Sequence, residues 1–170
     1  MTKRVMAAVA FGAALGATHA SALELTSPDI APGAALSKAQ VYSECGGSNV
    51  APVLSWSGAP PATKSFAVTV FDPDAHGGWW HWIVYDIPAA ASGLTHGAPA
   101  AQTGRNDFGH KTYDGACPPE GSGTHHYQFT LWAMPTPTLA VDPGVTGETL
   151  EPYLKAHAIA TTVLMATYER

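Results

Sequence analysis

Three stretches of this 170-residue chain run into a proline. "SFAVTVFD" (Ser65–Asp72) meets Pro73, "WWHWIVYDI" (Trp79–Ile87) meets Pro88, and "HHYQFTLWAM" (His125–Met134) meets Pro135. Each is rich in β-branched and aromatic residues and alternates with a period of two, which suits a pleated strand. Proline lacks the N–H that a sheet ladder requires, so each run has a defined end. A fourth run, "TTVLMATY" (Thr161–Tyr168), reads as the last strand. Helical spacing is clear only in "GETLEPYLKAHAIA", where Leu150, Tyr153, Leu154 and His157 share a face and Glu148 and Glu151 suit the N-terminus. Pro152 is tolerable there only in the first turn. Short strands, frequent turns and one or two short helices describe a mainly β, sandwich-like domain.

The first 22 residues have a different character. Lys3 and Arg4 precede an apolar run from Val5 to about Ala17, and Ala20-Ser21-Ala22 supplies small residues for cleavage before Leu23. This is the pattern of a secretory signal peptide, with an apolar run shorter than the roughly 20 residues of a membrane-spanning helix. Residues 23–170 then form a single domain, with no internal repeat or break in composition. The formal charge is −5, and loss of Lys3 and Arg4 would take it to −7. An acidic domain without a basic cluster is a poor partner for nucleic acid or an anionic membrane. An anion would need a local site. In an exported chain the two cysteines, Cys45 and Cys117, read first as one disulfide, the alternative being two buried thiols.

Alternation also sorts the polar residues by face. Asp72 ends the row Phe66, Val68, Val70. His81 falls in a row with Ile83, Tyr85 and Ile87. His125 and Tyr127 share a row with Phe129 and Leu131, whereas His126 aligns with Gln128 and Thr130. Asp72, His81, His125 and Tyr127 thus sit at the ends of apolar rows, where buried polar groups need one another or a ligand. Taken singly, an acid before proline is ordinary turn chemistry, and a histidine in an aromatic strand is ordinarily a bonded core residue. Their coincidence at comparable strand ends marks a site. The loop "GRNDFGHKTYDGACPPEGSG" (Gly104–Gly123) is long enough to belong to it.

"DPDA" followed by "HW", then "NDFG", "CPPEGSG" and "HHY", resembles the phosphatidylethanolamine-binding protein family in its bacterial, Raf kinase inhibitor-like branch. "CGGSNVAPVLSW" (Cys45–Trp56) and the C-terminal "HAIATTVLMATYER" extend the resemblance over most of residues 23–170. It implies a large central sheet packed on a smaller one, with short peripheral helices. It also implies a small pocket for phosphate or phosphorylated headgroups, lined by Asp72, Asp74, His81, His125, Tyr127 and Cys117. Inhibition of a kinase or protease is a further association of that family. Two departures concern the pocket rim: His76 stands where the family's proline follows DPDA, and the loop to the Trp79 strand is short.

The resulting expectation is an exported anion-binding module, with His81, His125, the Tyr127 hydroxyl and loop N–H groups as donors and Asp72 orienting a histidine. No cofactor is implied, and no catalytic residue is assigned. Two alternatives stay open. An Asp–His–Tyr set could transfer protons on a small substrate. His76, His81, His125, Asp72 and Asp74 could ligate a metal.

Overall fold

All four runs form strands, and they lie in one sheet. A computed structural model describes residues 22–95 and 101–170; the expected leader, apart from Ala22, lies outside them. The elements are β1 (Glu24–Thr26), β2 (Leu54–Ser57), β3 (Ser65–Asp72), β4 (Trp79–Pro88), β5 (Gly93–Leu94), β6 (Gln102–Thr103), β7 (His125–Met134), α1 (Gly147–His157) and β8 (Ala160–Tyr168). The five-stranded sheet runs β6-β4-β3-β7-β8 and a three-stranded sheet runs β1-β2-β5, with all these pairs antiparallel. The mainly β, two-sheet architecture is the one anticipated.

The large sheet is covered on both faces, which is why β3 is buried at nearly every position. One face packs Phe66, Val68, Val70, Phe129 and Leu131 against Leu25, Leu54 and Trp56 of the small sheet. The other packs Ala67, Trp132 and Met134 against Leu150 and Leu154 of α1. Full burial of each such leucine stabilises the fold by about 1.5–3 kcal/mol. Gly147 opens α1 where a Cβ would lie 2.1 Å from the Trp80 ring, so only glycine lets the helix approach the sheet this closely. Thr146 caps it, its hydroxyl accepting from Thr149 N at 3.4 Å. Pro152 departs from expectation: it is inside α1, beyond the first turn, and the Glu148 carbonyl loses its intrahelical donor there.

Strand β4 does not keep the alternation assumed for it. Val70 faces Trp82 but Phe71 faces Trp80, so His81 is the extra residue of a β-bulge. A second irregularity sets Phe66 opposite Ile87 and Val68 opposite Val84, and Asp86 there adopts φ 57°. The expected row of His81, Ile83, Tyr85 and Ile87 is therefore split. Ile83 and Tyr85 lie under α1, whereas Ile87 joins Trp82 and Val84 on the opposite face. His81 is turned to that opposite face, its ring 5.1 Å from the Tyr127 ring. Two bulges restore the parity between the strand's ends, which a count by twos could not detect.

Candidate functional site

At the end of β3, Pro73 terminates pairing and leaves Asp72 to cap the turn that follows. Its Oδ1 accepts the backbone N–H groups of Asp74 at 2.9 Å and Ala75 at 3.2 Å. Its Oδ2 accepts from His125 Nδ1 at 2.7 Å, with both side chains almost wholly buried. The other nitrogen of His125, Nε2, meets Ser122 Oγ at 3.0 Å. His125 therefore faces inward as its row requires, and Asp72 orients it. Both its ring nitrogens are occupied by protein groups, however, so it is not the free anion donor that the sequence suggested.

Tyr127, one row step along β7, is 1% exposed, and its hydroxyl has no partner among the described residues. Burial, reinforced by the Asp72 charge, raises the phenol's pKa far above its ordinary value and keeps it a donor. Trp79 Nε1 is a second buried donor without a partner among the described residues.

His81 is held differently. Its Nδ1 donates to the Asp114 carbonyl at 2.8 Å, so in the neutral ring Nε2 is the acceptor. Burial lowers its pKa, with the Asp114 hydrogen bond and the Asp72 charge opposing. The Gly104–Gly123 loop clamps the bulge from behind. Asp114 N donates to His81 O at 3.1 Å, and Asn106 Nδ2 donates to the same carbonyl at 3.2 Å. The Asp114 carboxylate, itself buried, is hydrogen-bonded to Asn49, Asn106 and His110.

Asp72, Trp79, His81, Ser122, His125 and Tyr127 line a cavity of about 500 Å³, with Asp74, His76, Phe108 and the two prolines after Cys117 at its sides. Phe108 stands against Trp79 at 5.5 Å and His81 at 5.8 Å between ring centroids, forming an aromatic wall. Asp74 is at the rim, where its Oδ2 accepts both the backbone N–H of His126 at 2.7 Å and its Nδ1 at 2.8 Å. Those His126 hydrogen bonds lower the Asp74 pKa. Cys117 contributes wall but no thiol, because it is bonded to Cys45 across 72 residues. In the chain-entropy account such a loop closure stabilises a fold by about 4 kcal/mol. The Arg170 guanidinium contacts both sulfurs.

All six residues expected to line the pocket do line it. Ser122, Phe108 and Asp114 were not foreseen. The length of their loop and, for Phe108 and Ser122, the NDFG and CPPEGSG motifs were the signals, but their roles depend on contacts between distant segments. Among the described residues, no three His, Cys, Asp or Glu side chains gather as metal ligands.

Comparison with known proteins identifies the family. The family described as phosphatidylethanolamine-binding protein matches residues 26–169. The Escherichia coli protein YbcL is 43% identical, over 97% of this chain and 94% of its own. Its crystal structure, described as a new member of the mammalian PEBP family, superposes with a TM-score of 0.83, over 88% of this chain and 99% of that one. A Chlamydia trachomatis structure described as a putative phosphatidylethanolamine-binding protein homologue, CT736, gives a TM-score of 0.77 at 36% identity, over 88% and 98%. A Mycobacterium tuberculosis protein named putative lipoprotein LppC is 40% identical over 90% of this chain and 75% of its own. On sequence and on fold, this chain belongs to the phosphatidylethanolamine-binding protein family.

Proposed function

We propose that this protein is an exported binding module whose pocket takes a small ligand bearing a phosphate or similar anion. The observation that carries the reading is the orphaned Tyr127 hydroxyl. A buried O–H without an acceptor costs about 1–3 kcal/mol, and a ligand oxygen removes that penalty. Trp79 Nε1 is a second donor in the same state. Phe108 and Trp79 would cover the organic part of the ligand. The overall negative charge gives no long-range attraction, so affinity comes from these local donors.

Three features support export: the basic-then-apolar leader, the disulfide, which is characteristic of oxidising compartments, and the relative named a lipoprotein. No helix among the described residues is long and apolar enough to cross a membrane.

Titration of residues 23–170 with inorganic phosphate, phosphoethanolamine and nucleotides, followed by NMR, tests the reading. Shifts should concentrate at Tyr127, Trp79 and His81. Tyr127→Phe should weaken binding roughly ten- to a hundredfold, the value of a charge-assisted hydrogen bond. Stability of the free protein should be unchanged or slightly raised, because the lost hydroxyl had no partner. Equal affinity in the variant would remove Tyr127 from the binding role.

A further inference from the structure

Ser122, His125 and Asp72 are connected in an order that anion binding does not require. Asp72 Oδ2 lies 2.7 Å from His125 Nδ1, and His125 Nε2 lies 3.0 Å from Ser122 Oγ. A buried carboxylate thus fixes the imidazole so that its second nitrogen meets a hydroxyl. That is the arrangement of orienting acid, general base and nucleophile. We propose that these three residues form a nucleophilic relay that hydrolyses small carboxylic esters in the pocket.

Ser122 is placed for this role. It is exposed, in a turn closed by its backbone N–H to the Pro119 carbonyl at 3.2 Å. Gly121 and Gly123 on either side adopt φ 76° and 88°, and an added Cβ at either would meet nothing within 4 Å. Neither flanking residue carries a side chain that could cover the Ser122 hydroxyl. The hydroxyl has one hydrogen and two acceptors, the Pro119 carbonyl at 2.7 Å and His125 Nε2. Rotation about Cβ–Oγ delivers it to the imidazole, as attack requires. The same cavity is lined by Tyr127 and Trp79, whose O–H and Nε1–H have no partner among the described residues and are of the kind that hold an oxyanion.

The step balances without a cofactor. Ser122 Oγ bonds to the ester carbonyl carbon while its proton passes to His125 Nε2. The carbon–oxygen bond to the leaving alcohol breaks, and that oxygen takes the proton. Water then attacks the acyl-serine, His125 receives its proton and returns it to Oγ, and the carboxylic acid leaves.

A fluorophosphonate probe and p-nitrophenyl acetate test this on residues 23–170, with Ser122→Ala as control and near-UV circular dichroism to verify folding. The expected result is one adduct, mapped to Ser122, together with ester turnover at least about a hundredfold above that of the variant, the low end for a positioned general base. Absence of an adduct at Ser122 overturns the proposal, and so does turnover that survives in Ser122→Ala. Phosphate titration of the parent protein keeps the binding reading separate, because it reads Tyr127 and Trp79 without requiring turnover.

Discussion

The pocket has one wall built on regular strands and another built on a broken one. On the β3–β7 wall, Asp72, His125 and Tyr127 stand where uninterrupted alternation puts them, and the Asp72–His125 pair is satisfied by direct contact between neighbouring strands. On the β4 wall, His81 is aimed by a bulge, and its partner is a backbone carbonyl from a long loop. The first wall confronts a buried carboxylate with an imidazole. The second surrounds an imidazole with burial and a neutral acceptor, which disfavours the charged ring. The strands thus hold the two histidines differently, His125 against a carboxylate and His81 against a backbone carbonyl.

The largest expected effect lies on the regular wall. Asp72→Ala removes the acceptor for His125 Nδ1 and for two backbone N–H groups in one step. A donor left without its acceptor costs about 1–3 kcal/mol when buried, and three donors lose theirs here. Urea unfolding at pH 7 measures the loss. A loss below about 1 kcal/mol, the value of an exposed pair, would show that the buried contact contributes no more than an exposed one and would erase the contrast between the walls.

The broken wall should show itself through pH. The folded state lowers the pKa of His81, so below the unfolded value of about 6.5 the unfolded chain binds more protons at this site. Its contribution to stability is complete above that pH. As pH falls it is lost, until the folded ring also protonates. The slope is at most about 1.4 kcal/mol per pH unit. His81→Asn retains a side-chain donor for the Asp114 carbonyl but cannot titrate. Unfolding curves at pH 7 and pH 5 should therefore show a smaller loss in the variant than in the parent. Equal losses would mean that His81 is not held neutral.

What the sequence revealed follows the same division. Period-two reasoning found β3, β7 and the inward choice of His125 over His126 because those strands pair without a break in register. It named His81 correctly as a pocket residue but placed it in the wrong row, since a bulge adds one residue and reverses the faces beyond it. Ser122, Phe108 and Asp114 could not be found by alternation. They belong to a loop whose course is fixed by the Cys45–Cys117 bond, by Asn49 and Asn106, and by the His81 backbone. Pro152 shows the limit of a propensity rule. The burial of Leu150 and Leu154 holds α1 together despite one lost hydrogen bond.

The smallest expected effect tests the edge of the regular wall. His126 points away from the cavity, as its row with Gln128 and Thr130 requires, and is hydrogen-bonded to Asp74 at the rim. The two side chains are 48% and 41% exposed, and pairs so open to water contribute about 0–1 kcal/mol. Replacement by alanine also leaves the backbone N–H of residue 126 in place for the Asp74 carboxylate. His126→Ala should therefore change stability by less than about 1 kcal/mol and phosphoethanolamine affinity by less than about threefold. The Asp74 pKa should rise toward its ordinary value, because the His126 side-chain hydrogen bond is the largest cause of its lowering. NMR titration of the Asp74 carboxyl and a binding isotherm measure the two on the same sample. Normal affinity with a raised Asp74 pKa would confine the pair to rim electrostatics. A tenfold loss of affinity would instead make the rim part of the binding surface, and the anion would then be recognised across Asp74 rather than only by the donors beneath it.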